Sequence, residues 1–236
     1  MPQESTARPK RGRRGPQRAL SEEQIVDAAL ALLEEGGTAA MSVRGIAGRV
    51  GVAPNAVYTY FPDKAAVEKG VVERLLGEVR AAAPPRAGES WRGGVEVLAV
   101  ALHDVLARHP GAVPLTIGGP IDGPHALALG ERLLELLDAA GLSPQDAARS
   151  SYLLITYAFG SMALDVADPS AGGPGPLPPE RERVAARREA FAQTPADVYP
   201  RSAAVTDVMA AYVSREQYLF GLHRILDGIA ATAPSR

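Results

Sequence analysis

Apolar residues recur at spacings of three and four along most of the chain, and no useful length alternates them singly with polar ones. The pattern therefore predicts helices throughout. A first helix opens with a capping box, Ser21 with Gln24 three residues on. It turns Ile25, Ala28, Ala29, Leu32 and Leu33 to one side and stops at Gly36-Gly37. Ser42 caps a short second helix carrying Ile46, Ala47 and Val50, and Gly51 lets the chain turn sharply after it. A third helix starts with Pro54 near its first position, where the missing N–H costs little, and reaches Phe61 before Pro62-Asp63 stops it. Two short helices hinged on a glycine form a helix-turn-helix. Val57 and Phe61, four apart, point to a core, and the outer face is left with Asn55, Ala56, Tyr58, Thr59 and Tyr60. Such a set of small, hydrogen-bonding and aromatic groups suits base edges and phosphates.

Further helices follow. Asp63 caps one that runs to about Ala82, with Val67, Val71, Leu75, Leu76 and Val79 as its stripe. Others are predicted over Trp91 to Arg108, Ala126 to Ala140, Ser143 to Ala167, Glu180 to Ala192, Ser202 to Val213 and Ser214 to about residue 231, with a short element at Val113 to Ile117. The segment Tyr152 to Leu164 is apolar almost all round and must be buried on two sides, although it is too short and too rich in Ser, Thr, Tyr and Gly to span a membrane. Residues 168–180, dense in Pro and Gly, read as a mobile loop. The late helices, 147–166 and 214–231, carry strong apolar surfaces that point to a subunit interface. The fold class is all-α: a disordered basic arm over 1–19, a three-helix DNA-binding domain over 20–66, and a helical bundle over 67–236.

Composition adds two facts. The net charge is −2, but residues 1–20 hold a net +5 from Arg8, Lys10, Arg11, Arg13, Arg14 and Arg18 against Glu4. Arg13, Arg14 and Arg18 are therefore candidates to reach a groove or phosphates beside the helix-turn-helix. With no cysteine, disulfides, thiolate-bound zinc and thiol catalysis are excluded, and a cytoplasmic location is expected because no secretory pattern opens the chain. Lys64 stands in the first turn of a helix, against the macrodipole, where a DNA phosphate would relieve it.

Residues 21–67 resemble the DNA-binding domain of the TetR family of bacterial transcriptional repressors. The resemblance is carried by Ile25 to Leu33, Gly36-Gly37, Ser42 to Ala47, Val50 to Ala53 and Val57 to Lys64. More loosely, Phe220 to Ile229 is similar to the closing helix of the tetracycline-repressor-like regulatory domain. The resemblance implies a homodimer whose last long helices form a four-helix bundle, with a ligand cavity in each regulatory domain. It also implies that Arg44 reads a guanine, in keeping with arginine's bidentate match to O6 and N7. By the same likeness Asn55, Ala56 and Thr59 face bases, and Ser42, Tyr58, Tyr60 and Lys64 contact phosphates. Ala53 departs from the family pattern, where a Ser or Thr commonly caps the recognition helix; the loss is worth about 1 kcal/mol.

For the ligand, the expectation is a pocket between the Trp91–Arg108 helix and the inner face of Tyr152–Leu164, lined by His103, Tyr152, Thr156 and Phe159. The same four residues also fit a plain core or dimer interface. Catalysis finds little support: His103, His109, His125 and His223 have no metalloprotease spacing, and no P-loop or nucleophile elbow occurs. No cofactor, metal or membrane partner is expected. The function expected is a ligand-responsive repressor, dimeric on a pseudo-palindromic double-stranded DNA operator and released by a small-molecule effector. Two alternatives stand beside it: a DNA-binding regulator whose C-terminal domain serves only dimerisation or protein recruitment, and, more remotely, a helical enzyme.

Overall fold

The computed structural model describes residues 20–118, 121–172 and 175–232, so the expected basic arm with Arg13, Arg14 and Arg18 lies outside the described residues. All regular structure among the described residues is helical. The N-terminal group is α1 (Glu22–Ala40), α2 (Val43–Val50) and α3 (Pro54–Val57). Next come α4 (Lys64–Ala82), α5 (Trp91–Arg108), α6 (Val113–Gly118), α7 (Pro124–Ala139) and α8 (Pro144–Ala167). The chain ends with α9 (Glu180–Phe191), α10 (Pro200–Ala203), α11 (Thr206–Ala210) and α12 (Arg215–Thr232).

Local chemistry accounts for most boundaries. Ser21 and Gln24 form the reciprocal capping box, and α1 is broken at Gly36-Gly37, where Gly37 takes a left-handed φ of 64°. Three expectations need correction. The third helix does not reach Phe61 but ends at Val57, where the chain passes into tight turns, with Thr59 N–H on Ala56 C=O and Tyr60 N–H on Val57 C=O. The helix expected over Ser202 to Val213 is instead two short helices, α10 and α11, and a 3-10 turn. The start of the stretch read as a mobile loop is a 3-10 turn at Pro169–Ala171, held by Asp168, which accepts from Ser170 N–H at 2.8 Å and pairs with Arg187, and Ala171 is buried beneath it.

One apolar core runs from Ile25 and Leu33 in α1, through Val67, Val71 and Leu75 in α4, to Leu222 and Leu226 in α12. Helix α4 packs on α1 at one side and on α5 and α7 at the other, so it belongs to the packing of both ends of the molecule. Each fully buried Leu or Val of this core contributes about 1.5–3 kcal/mol of transfer free energy. A second junction joins the ends without a covalent link: α1 meets the 3-10 turn Pro110–Ala112, where a Cβ at Gly111 would overlap the carbonyl of Leu33 and His109 pairs with Glu34. Only glycine permits that approach.

Candidate nucleic-acid interface and regulatory cavity

The helix-turn-helix is built on buried Ile46, Ala47 and Val57, with α2 packed on α1 and α3 on α2. Gly51, at φ 77°, makes the turn, and Val52 N–H reaches back to Ala47 C=O at 2.9 Å. Ser42 Oγ caps α2 by accepting from Gly45 N–H at 3.1 Å, and Arg49 binds Glu35 of α1 at 2.7 Å, holding the Glu35 carboxyl below its ordinary range. That brace between α1 and α2 is not visible in the sequence, since its two ends lie fourteen positions apart. With the scaffold fixed, Ser42, Arg44, Asn55, Tyr58 and Thr59 are exposed together at one end of the molecule.

Other expected contacts are placed differently. Ala56 is only partly exposed, and Tyr60 is drawn inward, packed on the core with its hydroxyl donating to the carbonyl of Leu20. Tyr60 thus ties the entry of α1 to the end of the motif, and its O–H is not free for a phosphate. Lys64, exposed at the start of α4, is not uncompensated, because Glu68 one turn on lies 3.3 Å from its Nζ. Asp63 caps the same helix through Ala66 N–H at 2.8 Å.

A cavity of about 140 Å³ lies among α4, α5, α7 and α8. Phe159 lines it together with Leu98, Leu102, Leu133 and Ala158. The other three residues expected there do not. Tyr152 is 73% exposed and Thr156 is exposed beside it, both on the outer face of α8, because the all-apolar stretch is wide enough to serve two surfaces. His103 turns away from the cavity, its ring 4.6 Å from that of Tyr218 and its Nε2 3.8 Å from Asp165. There it joins a buried polar cluster in which Asp165 lies 3.9 Å from Arg183 and Arg183 donates to the Val213 carbonyl at 3.0 Å. Burial pushes the Tyr218 phenol well up, and Tyr157 is raised by burial too. Tyr218 donates to the Ala99 carbonyl at 3.0 Å.

The cavity is connected to α4 through charge. Gly123 offers α7 no side-chain cap, and Glu73 of α4 supplies one, accepting from His125 N–H at 2.8 Å and Ala126 N–H at 3.2 Å. At the other end Arg132 of α7 donates to the Ala83 carbonyl that closes α4 and pairs with Glu89 at 2.9 Å. Outside the bundle, Tyr152, Leu164 (74% exposed) and Phe220 (59% exposed) leave an apolar surface on α8 and α12.

This architecture has known counterparts. The model for bacterial regulatory proteins of the tetR family matches residues 25–68, and that for the tetracyclin repressor-like C-terminal domain matches residues 84–233, more than half of the chain. The chain belongs to the TetR family. An HTH-type transcriptional regulator of Saccharopolyspora erythraea is 32% identical over 146 residues, which are 62% of this chain and 61% of that protein. The crystal structure of a possible TetR family transcriptional regulator from Streptomyces coelicolor A3(2) is 30% identical, with a TM-score of 0.76 over 89% of this chain and 99% of that one. The TetR family protein ActR of Streptomyces coelicolor, solved in complex with actinorhodin, shares the fold at a TM-score of 0.76 with 21% identity, over 93% of this chain and 99% of that one. The two matched regions meet across α4, which begins at Lys64, just after the helix-turn-helix, and gives Leu76 and Val79 to the cavity wall.

Proposed function

We propose that this TetR family chain is a ligand-responsive transcriptional repressor that binds a pseudo-palindromic operator as a homodimer. The observation that carries the reading is the exposed set Ser42, Arg44, Asn55, Tyr58 and Thr59 on a helix-turn-helix whose apolar side is locked into the core. Arg44 reads a guanine edge, Asn55 and Thr59 meet bases, and Ser42, Tyr58 and Lys64 hold phosphates. The apolar face of α8 and α12 is the surface through which two copies join, within 147–166 and 214–231, and two reading heads then enter successive major grooves. As a regulator it acts in the cytoplasm and has no catalytic role. The relatives are named as regulators, and no helix among the described residues is long and apolar enough to cross a membrane.

An effector in the cavity shifts α7 against α4, two helices that Glu73 and Arg132 join at two points. It releases DNA only insofar as it binds the released arrangement more tightly. The actinorhodin complex of ActR supports a small-molecule effector. Selection of bound duplexes from a random pool, at fixed salt, tests the reading: an enriched palindrome is expected, and no enrichment defeats it.

A further inference from the structure

Among the described residues, the lining of the cavity between α4, α5, α7 and α8 has no hydrogen-bonding side chain. Its walls are made of Leu, Ile, Val, Ala, Gly and the ring of Phe159, and none of them carries a side-chain nitrogen, oxygen or charge. Binding pockets ordinarily set a few polar groups among the apolar ones to orient a ligand. Here the nearby polar chemistry is spent elsewhere: His103 is stacked on Tyr218 and faces Asp165, Tyr157 donates to the Tyr218 carbonyl, and Thr156 is on the outer face of α8. The wall backbone lies mostly within helices, so its N–H and C=O groups are already paired. A charged or strongly hydrogen-bonding group entering this space would lose water and gain no partner.

We infer that the effector site takes an uncharged, predominantly hydrocarbon molecule, such as an alkylated aromatic ring or a branched terpenoid fragment. Any polar group stays at the mouth marked by the exposed Ile121 and Ile155. The inference rests on the ligand-responsive reading and narrows it to a chemical class. Size agrees with it: a space of about 140 Å³ is close to the dry, Leu- and Phe-lined cavity of about 150 Å³ that holds benzene. A ligand larger than one ring extends through the mouth at Ile121 and Ile155, or moves α7 from α4 against the clasp of Glu73 and Arg132.

The test uses the full-length protein and N-phenyl-1-naphthylamine, an uncharged fluorophore that brightens in dry sites. Three competitors of one shape are compared: n-butylbenzene, 4-phenylbutyrate and 4-phenylbutylammonium. The expected result is displacement by n-butylbenzene, with both ions weaker by at least about 100-fold. Ala158→Phe, which fills the space, should abolish dye binding while the melting profile stays cooperative. Leu133→Ala, which enlarges it, should strengthen binding and serves if Ala158→Phe does not fold. Competition by 4-phenylbutyrate within tenfold of n-butylbenzene overturns the inference, as does undiminished dye binding in folded Ala158→Phe. Operator binding is followed in parallel. If n-butylbenzene occupies the site and DNA stays bound, the inference is supported and the release reading fails. If only the ions free the DNA, release stands and the inference fails.

Discussion

We propose Arg44 as the residue on which sequence recognition turns. It is exposed in the first turn of α2, clear of the buried Ile46 and Ala47, so removing its side chain leaves the core untouched. Arg44→Ala should keep its melting temperature and lose about 1–3 kcal/mol of operator affinity, with discrimination relaxed at one base pair. Fluorescence anisotropy on operator duplexes mutated base by base measures both. Tyr218 makes a different kind of statement. Burial raises its phenol above the ordinary value, so the folded chain holds the proton more tightly than the unfolded one. The stability this provides is complete below about pH 10, the unfolded phenol value, and is lost as pH rises from there toward the raised folded value. Tyr218→Phe should flatten that alkaline fall and, by deleting the bond to the Ala99 carbonyl, cost about 1 kcal/mol at neutral pH. Urea unfolding at a series of pH values gives both numbers. Tyr60 marks the limit of pattern reading at this scale: its place beside Tyr58 and Thr59 reads as an outward contact, but the bond to Leu20, forty residues away, turns it inward.

At the scale of elements, caps separate what is local from what is not. Ser21, Ser42, Asp63, Ser90 and Ser143 each cap the helix that follows them, with donor and acceptor three residues apart, and the caps at Ser21, Ser42 and Asp63 are read from sequence for that reason. Helix α7 follows another rule. Its N-terminus is capped by Glu73, some fifty residues earlier, and nothing near Gly123 announces it. Glu73→Gln keeps an acceptor but removes the negative charge from the α7 dipole, which should cost about 0.3–1 kcal/mol. Urea midpoints check the loss. The recognition element shows the reverse case. The absence of a cap at Ala53 is legible, but the shortness of α3 that accompanies it shows only in the folded chain.

For the whole molecule, the exposed apolar residues of α8 and α12, Tyr152, Leu164 and Phe220 among them, are the surface proposed to join two copies. Leu164→Glu puts a charge on this face at a residue 74% exposed in the single chain, so folding should survive and assembly should not. Sedimentation velocity should show monomer at concentrations where the parent is a dimer, and operator affinity should fall because the two heads are no longer tied. By itself the sequence determined the all-helical class, most helix starts, the helix-turn-helix and the two surfaces that leave the core, because periodicity, capping residues and glycine turns act over three or four residues. Which way the apolar Tyr152–Leu164 stretch faces was decided by tertiary structure. It gives Leu154, Ala158 and Phe159 to the cavity and Tyr152, Thr156 and Leu164 to the outside. The clasp of Glu73 and Arg132, the inward turn of Tyr60 and the withdrawal of His103 from the cavity share that origin. Each depends on groups far apart in the chain meeting in space, and a helical period is the same whichever neighbour lies against it.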